Sequence, residues 1–400
     1  MISDAARRSR TFVPFIRWRI LRHVVWFSAL CLPAISALAD WPTFHGDYAL
    51  RGVGTLARSE VFPPVFWRYD SKKPMEHPPV AGGGRIYAVT GETDIVALDR
   101  EGQELWRASL AGSDARRRTS MAAAPLYYRG RVAVAMTSGE VIALDAATGA
   151  ERWRAALGGA VGAALNWIAS NRTAEGLVIG VVQSRGIVIA LDGATGDEVW
   201  RSAAFDRCDS PPSCGEGRIV LGSCLAALHA LDARDGAERF RTPLGDDSQM
   251  AGGAALDRGV AFGGNRSGAL VAVELASGRI LWRTEPRNAE VFATPAVAGD
   301  RVLFAAADGT VSAVERATGA VRWTRKLGAG AGEVAVGGDR AVVAVDGRLI
   351  ILDARTGEER GSVQVSDRVV GPVLTGGLIV VGTDEGQIVA YGSPTRPASP

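Results

Sequence analysis

One phrase recurs along this chain every 40 residues or so, and it constrains the fold more than any other feature. The phrase is a β-branched run, an acidic residue, Thr-Gly after two further positions, and a tryptophan four residues later. The acidic anchors, with Tyr391 in the last copy, lie 38 to 47 residues apart and define eight units. The phrase is carried by Asp99, Trp106, Asp145, Thr148, Gly149, Trp153, Asp192, Thr195, Gly196, Trp200, Asp232, Trp282, Thr318, Gly319, Trp323, Asp353, Thr356 and Gly357.

Each unit alternates short β-branched segments with turn residues, which predicts short strands. A period near 40 to 45 residues with four strands per unit is typical of β-propeller blades. Helical repeats of similar length are the alternative, but 49 glycines in 400 residues and β-branched runs such as residues 340–345 oppose it. We therefore predict an all-β protein, an eight-bladed β-propeller of four-stranded antiparallel blades.

The phrase has a structural explanation. An aspartate carboxylate can accept hydrogen bonds from backbone N–H groups two or three residues on, and glycine supplies the positive φ that closes the turn. The tryptophan follows on the next strand, where its ring can pack against the neighbouring blade. We interpret these repeated residues as architecture and not as catalytic groups.

The two ends of the repeat array complement each other. The last unit stops at Tyr391 without an outer strand, whereas residues 65–69 form a spare strand whose Trp67 lies 39 residues before Trp106. We predict that this strand completes the eighth blade and closes the ring without an open edge. Residues 40–392 then form one propeller domain, and residues 393–400 form a flexible tail.

The first 39 residues have the features of a secretory signal peptide. Six arginines precede an uncharged run at residues 24–39, which ends in Ala-Leu-Ala, a small-x-small cleavage pattern. Sixteen residues interrupted by Pro33 are short for an uncleaved membrane anchor. We predict cleavage after Ala39 and a periplasmic or secreted protein.

The composition restricts the partners. The formal net charge of +2 disfavours a general nucleic-acid binder. After residue 39 no segment is long and apolar enough to span a membrane. We expect a monomer that binds protein partners or a small-molecule ligand.

The repeated Ala-x-Asp-x-x-Thr-Gly-x-x-x-Trp phrase and the segment Asp-Trp-Pro-Thr-Phe-His-Gly-Asp at residues 40–47 resemble the pyrroloquinoline-quinone (PQQ) repeat family. The resemblance covers residues 40–391 and implies a propeller. The family includes PQQ-dependent alcohol dehydrogenases and non-enzymatic propellers such as the lipoprotein subunit of the outer-membrane β-barrel assembly machinery, which this chain resembles in length. The adjacent cysteine pair of the dehydrogenases and a C-x-x-C-H haem site are both missing from the sequence.

Three cysteines follow the signal segment. A hairpin centred on Glu216 would place Cys208 directly opposite Cys224, within reach of a disulfide, and Cys214 opposite Arg218. In an oxidising compartment we favour that disulfide over free thiols. A three-cysteine metal site is disfavoured because no histidine lies close in sequence, and we expect no metal there.

Propeller ligands bind at the mouth of the central channel, near the starts of inner strands and the turns after second strands. The register of the units nominates polar and aromatic residues at these places. They are Glu76, His77, Arg118, Asn166, Trp167, Asp209, Gln249, Asn265, Phe292, Asp346, Arg368 and Asp384.

Two functions are compatible with this set. The first is a binding or scaffold protein without a cofactor. The second, suggested by the resemblance, is a compact dehydrogenase using PQQ and calcium, which needs oxygen ligands, an aspartate base and an arginine on the quinone carboxylates. The residues of suitable type are Glu76, Arg118, Asp209, Asn265, Arg368 and Asp384.

Overall fold

The computed structural model describes residues 40–57, 62–110, 119–245, 249–250, 252–284 and 289–393. The predicted signal peptide, Arg118 and all but the first residue of the predicted tail lie outside these ranges. The described residues form 32 strands arranged as eight antiparallel sheets of four. The eight-bladed all-β propeller predicted from the repeat is therefore confirmed.

Blades 1 to 4 follow one another along the chain, each running from an inner strand A through B and C to an outer strand D. Their strands are, in order, β2 Val80–Gly82, β3 Arg85–Thr90, β4 Asp94–Leu98 and β5 Glu104–Ser109; β6 Leu126–Tyr128, β7 Arg131–Ala135, β8 Glu140–Asp145 and β9 Glu151–Ala156; β10 Asn166–Ile168, β11 Leu177–Val182, β12 Ile187–Asp192 and β13 Glu198–Arg201; and β14 Ser213–Gly215, β15 Arg218–Ser223, β16 Ala227–Asp232 and β17 Glu238–Pro243.

Blades 5 to 7 repeat this order, and blade 8 takes its outer strand from the start of the propeller. Their strands are β18 Ala255–Asp257, β19 Val260–Gly264, β20 Leu270–Glu274 and β21 Ile280–Arg283; β22 Ala296–Ala298, β23 Arg301–Ala305, β24 Thr310–Glu315 and β25 Val321–Lys326; β26 Ala331–Gly337, β27 Arg340–Val345, β28 Arg348–Asp353 and β29 Glu359–Gln364; and β30 Val369–Thr375, β31 Leu378–Thr383, β32 Gln387–Tyr391 and β1 Val65–Asp70.

The ring closes where β1 pairs antiparallel with β32. Trp67 lies opposite Ala390, and Asp70 lies opposite Gln387. The predicted closing strand is confirmed and extends one residue beyond residues 65–69. Every hydrogen-bonding edge of β32 is thereby covered, which removes the open edge that the C-terminal copy would otherwise expose.

The repeated phrase forms the turn between strands C and D. In blade 2, Oδ1 of Asp145 accepts hydrogen bonds from the backbone N–H groups of Ala147 and Thr148, both at 3.0 Å, and from the Thr148 hydroxyl. Gly149 follows with a φ of 74°. These contacts fix the turn locally, as the sequence predicts.

The tryptophan of each phrase contacts the next blade. The indole N–H of Trp153 donates to the carbonyl of Gly193 at 3.1 Å, and its ring covers Gly196, where a Cβ would lie 2.5 Å from the ring. Trp67 repeats this contact with Gly102 across the ring closure. Glycine at this position thus provides both a positive φ and room for the ring. The same ring-on-glycine contact joins Trp106 to Gly149, Trp200 to Gly236, Phe240 to Gly278, Trp282 to Gly319 and Trp323 to Gly357.

The hydrophobic core lies between neighbouring blades. Between blades 2 and 3, for example, Val141 and Trp153 pack with Val178. Both faces of a blade are therefore covered, and a strand such as β11 is buried along its whole length. This explains why the central strands are continuous apolar runs and not strictly alternating ones. None of the described residues belongs to a helix with the length and hydropathy needed to cross a membrane.

Candidate functional site

Residues 40–57, which we call the strap, circle one end of the channel and bind the inner strands in blade order. In six blades the next-to-last residue of strand A donates its backbone N–H to a strap carbonyl at 2.7 to 2.9 Å. These bonds join Ala81 to Trp41, Tyr127 to Pro42, Cys214 to Tyr48, Leu256 to Ala49, Val297 to Arg51 and Val336 to Gly52.

The remaining two blades bind the strap differently. In blade 3, the Asn166 amide nitrogen donates to the carbonyls of Tyr48 and Pro212, at 2.8 and 2.7 Å. In blade 8, Gly377 N–H donates to the Thr55 carbonyl, and its own carbonyl accepts from Ala57. The strap therefore contacts all eight blades.

The strap satisfies hydrogen-bonding groups that the inner strands would otherwise leave unpaired. The innermost strand of each blade has one unpaired edge, and buried backbone N–H groups need partners. A single strand-like segment bound around the ring supplies those partners and closes this end of the channel. Repeat reasoning missed it because the strap lies before the first repeat, although the compact segment at residues 40–47 was a signal that it has a role of its own.

On the other side of the strap the channel is an open-mouthed cavity of about 260 Å³. Its walls come from the residues just before strand A of successive blades. It is lined by Phe44, His77, Pro78, Ala122, Ala123, Ala124, Gly162, Ala163, Ala164, Asp209, Pro211, Gly252, Gly253, Phe292, Thr294 and Glu333.

Glu333 differs from its counterparts in the other blades. The strand registers align Glu333 with one residue in each of the other seven blades, at the same depth in the channel, and all seven are small or uncharged. A register shift in β26 leaves Gly332 and Glu333 together opposite Ala344. Such a bulge can re-aim a side chain. The equivalent residues are Pro78, Ala124, Ala164, Pro211, Gly253, Thr294 and Gly371.

His45 of the strap lies below Glu333. Its Nδ1 is 3.3 Å from Glu333 Oε2, and its side chain is 1% exposed. Burial lowers the pKa of His45 to about 4. A hydrogen bond with the Pro295 backbone favours the charged form but is the smaller effect. Burial likewise raises the pKa of Glu333 to about 8, although 26% of its side chain remains exposed toward the cavity that it lines. Near neutral pH both groups are therefore largely uncharged.

Three of the predicted residues line the cavity: His77, Asp209 and Phe292. The ring of His77 lies 3.2 Å from the Met121 carbonyl, and burial lowers its pKa. Asp209 accepts a hydrogen bond from the Gln183 amide at 2.6 Å and pairs with Arg207.

Four other predicted residues lie on the same end of the propeller but bind their own loops. Asp384 accepts from the Ser366 hydroxyl at 2.6 Å, and Asp346 accepts from Ala329 N–H at 2.8 Å. Asn265 accepts from Ala269 N–H at 2.9 Å within its turn, and Gln249 accepts from Arg266 at 3.1 Å. These contacts shape the mouth.

Glu76 and Arg368 are exposed at the mouth, near enough to His77 for their charges to act on its pKa in opposite directions. Asn166 and Trp167 require a correction. Asn166 is engaged with the strap, and the Trp167 ring packs on Tyr48 with centroids 5.0 Å apart. They therefore lie toward the strap end and not at the open mouth.

The predicted disulfide is also corrected, since Cys208, Cys214 and Cys224 are free thiols. The hairpin has a two-residue turn at 216–217 with Gly215 opposite Arg218, so the register differs by one residue and Cys214 lies opposite Ile219. Cys208 precedes the three-residue strand β14 and donates its thiol to the Gly222 carbonyl. Cys224 instead lies 3.9 Å from Asp209 Oδ2.

In the part of the chain that the structure describes, no three His, Cys, Asp or Glu side chains are grouped closely enough to hold a metal ion. The cavity lining offers two carboxyl groups, one imidazole and two aromatic rings on a background of alanine and glycine.

The interblade Trp-Gly contacts, the closing N-terminal strand and the central channel define a PQQ-repeat β-propeller. A sequence model of the family described as outer membrane protein assembly factor BamB matches residues 64–180, 184–252, 226–368 and 307–395. The chain therefore belongs to this family.

Among curated relatives, the outer membrane protein assembly factor BamB of Moranella endobia is 29% identical over 196 residues. The alignment covers 45% of this chain, and the chain spans about half the length of that relative.

Solved structures support the fold. The crystal structure of BamB from Moraxella catarrhalis has a TM-score of 0.69 at 19% identity, covering 84% of this chain and 99% of that one. Quinohemoprotein alcohol dehydrogenase from Comamonas testosteroni has a TM-score of 0.71 at 16% identity, covering 90% of this chain and 81% of that one. Since similar scores come from an assembly factor and an oxidoreductase, shape alone does not assign a function.

Proposed function

We propose that this protein is an exported, non-enzymatic propeller scaffold that binds protein partners in outer-membrane protein assembly. The observation that carries the proposal is the family match, which extends across all eight blades from residue 64 to residue 395. The relative from Moranella endobia is named for that role. The strap binds every blade of the ring. Such a ring suits a protein that presents loops to partners and undergoes no catalytic cycle.

Export follows from the N-terminal segment. The proposed signal peptide ends at Ala39, and the strap begins at once, with Asp40 accepting a hydrogen bond from Gly83 N–H. Cell fractionation and N-terminal sequencing test this step. We expect a periplasmic protein that begins at Asp40, whereas a retained N-terminus would contradict cleavage.

The open mouth offers a docking point at blade 4. Leu225, in the turn between strands B and C, is 63% exposed, the most exposed of the large apolar side chains in the described ranges. It lies next to Cys224 and close in the fold to the Arg207–Asp209 pair. We propose Leu225 as the contact to test because it is the apolar side chain at this mouth that a partner could cover.

A co-purification experiment tests this proposal. The tagged protein should retain the outer-membrane β-barrel assembly machinery of the same organism from solubilised envelopes. Leu225→Asp should reduce that recovery at least tenfold. Leu105→Asp is the matched control, because Leu105 is 46% exposed on an outer strand of blade 1. Equal loss in both variants, or no recovery with the unaltered protein, would contradict the proposal.

The alternative is the PQQ-dependent dehydrogenase. PQQ carries several carboxylates, and its binding calls for cationic side chains. The described residues that line the cavity include no lysine or arginine, and two of them are carboxylic acids. This lining is electrostatically unfavourable for the quinone, which supports the scaffold.

A direct assay decides between the two. The purified protein is mixed with PQQ and Ca²⁺, and quinone absorbance and dye reduction with simple alcohols and sugars are followed. We expect neither saturable binding nor reduction. Tight binding accompanied by turnover would replace the scaffold proposal with the dehydrogenase.

A further inference from the structure

We propose that the cavity above the strap binds a small organic cation, a primary ammonium group on a short apolar body, with Glu333 as its anchor. This inference does not depend on the scaffold role, since it concerns the channel and not the loops at its rim.

The first support is the position of Glu333 in the ring. Eight blades present equivalent residues to this layer of the channel, and the other seven are proline, alanine, glycine or threonine. A structural requirement of the fold would act on all eight blades alike. The repeat therefore does not account for this single carboxyl group, which a bulge in β26 places between His45 of the strap and the cavity.

The second support is the incomplete bonding of Glu333. Its Oε2 is buried 3.3 Å from His45 Nδ1 and has no hydrogen-bond partner among the described residues, although the carboxyl group also bonds the Thr294 backbone. Buried polar atoms are rarely left without a partner. The side chain is nonetheless partly exposed on the cavity side, where a ligand could reach it.

The rest of the lining selects the charge and shape of the ligand. Asp209 adds a second carboxylate, which is already paired with Arg207, while Phe44 and Phe292 add aromatic faces. The guanidinium of Arg266 already lies 5.4 Å from the Phe292 ring centroid, so this ring is placed where a cation can approach it. The alanine and glycine walls suit an apolar body. The described lining residues include no lysine or arginine, and the Arg266 guanidinium on the Phe292 ring is paired with Glu290.

The volume limits the size of the ligand. A cavity of about 260 Å³ is slightly smaller than the roughly 300–1,000 Å³ typical of sites for drug-sized ligands. The strap closes the far end, so the ligand must enter and leave by the open mouth. A short alkylammonium meets these limits.

Calorimetric titration with three probes of similar shape tests the proposal: n-butylammonium, butan-1-ol and butyrate. We expect saturable binding of butylammonium and at least tenfold weaker binding of the alcohol and the carboxylate. Glu333→Gln should weaken butylammonium binding at least tenfold. Glu151→Gln is the matched control, since Glu151 is 43% exposed on the outer strand β9 and pairs with Arg154 away from the cavity lining.

A second variant keeps the carboxyl group of Glu333 and fills the cavity beside it. Ala123→Leu should fill the cavity and abolish binding while Glu333 remains. Equal binding of the three probes, unchanged binding by both cavity variants, or no binding of butylammonium would overturn the proposal.

The pH dependence gives an independent readout. Butylammonium stays charged from about pH 6 to about pH 9, whereas the carboxyl of Glu333 ionises within that range. His45 stays neutral there because burial lowers its pKa to about 4. Burial also lowers the pKa of His77, and Asp209 faces the same cavity. Affinity should therefore rise with pH in the unaltered protein, and this rise should be lost in Glu333→Gln.

Discussion

His45 of the strap and Glu333 of blade 7 meet below the cavity, with Nδ1 of the imidazole 3.3 Å from Oε2 of the carboxyl. Burial lowers the pKa of the histidine and raises that of the glutamate, so the pair is held largely uncharged near neutral pH. The contact links a segment outside the repeats to the one residue with a carboxyl side chain among the eight equivalent positions in this layer of the channel.

This pair should make stability depend on pH. A raised carboxyl pKa means that the folded protein holds the proton more tightly, so the contribution of Glu333 is lost as pH rises toward 8. The lowered pKa of His45 acts oppositely, but only below its ordinary value of 6.5. Between pH 6.5 and 8 the free energy of unfolding of the unaltered protein should fall by at most about 2 kcal/mol. One proton held in the folded state and absent from the unfolded state changes this free energy by about 1.4 kcal/mol per pH unit.

Urea unfolding at several pH values measures this effect. The free energy of unfolding of Glu333→Gln should not fall over the same interval. A parallel fall in both proteins would assign the pH dependence to other groups.

The strap should be sensitive to substitution at Gly52. This residue has a φ of +64°, and an added Cβ would lie 2.4 Å from His45 Nε2. Gly84 has a φ of +78° with nothing near its Cβ position, so Gly84→Ala reports the backbone cost alone, about 1 to 2 kcal/mol. Gly52→Ala should cost about 1 to 3 kcal/mol more, measured by chemical denaturation. Equal costs would show that the strap yields to accommodate the methyl group.

The phrase of blade 4 carries an ionic cluster around a buried aspartate that should contribute to stability. The Asp232 side chain is 2% exposed and contacts Arg218, Arg234 and Arg239 at 3.5, 2.9 and 2.8 Å. Its hydrogen bonds to Arg234 hold its pKa well below the ordinary range, so its contribution is present near neutral pH and is lost as pH falls below about 4.

Asp232→Asn should therefore destabilise the protein by about 1 to 2 kcal/mol at neutral pH and by less in acid, because the buried carboxylate loses its charge while its arginine partners stay solvated. Asp235→Asn should cost about 0.5 kcal/mol or less, because Asp235 is 54% exposed. Thermal unfolding at pH 7 and pH 3.5 compares the two variants. A difference that does not shrink in acid would argue against the ionic explanation.

The three thiols should react unequally with an alkylating reagent. Burial raises the pKa of Cys208 to about 12 and that of Cys214 further, whereas Cys224 is only partly buried. Native labelling followed by peptide mass spectrometry should therefore modify Cys224 first. Recovery of a Cys208–Cys224 cross-linked peptide under non-reducing conditions would contradict the free thiols of the structure.

The sequence was sufficient for the features that depend on local chemistry. The Asp145 turn, the ring of Trp153 on Gly196 and the pairing of β1 with β32 all follow from a phrase repeated once per blade. The cysteine register failed by one residue because a turn with positive φ at both Glu216 and Gly217 has an even number of residues, so no residue stands at its centre. Counting outward from an assumed central residue cannot tell a two-residue turn from a turn with an odd number of residues.

Three of the predicted mouth residues were brought together in one cavity, namely His77, Asp209 and Phe292, whereas Glu333 and Phe44 were not predicted. Glu333 stands out only when the strand registers align it with seven uncharged equivalents. Asn166 was polar in an inner strand, but its partner proved to be the strap carbonyl of Tyr48.

By itself the sequence determined the number of blades and the closure of the ring, because both depend on contacts within one unit or between adjacent units. Only the tertiary structure decided how the channel ends and what lines it. The strap binds through backbone carbonyls, which every residue type carries, and the inner N–H groups that it satisfies come from blades spread over the whole chain. Such bonds leave no pattern in the side chains, so they become visible only once the ring is closed.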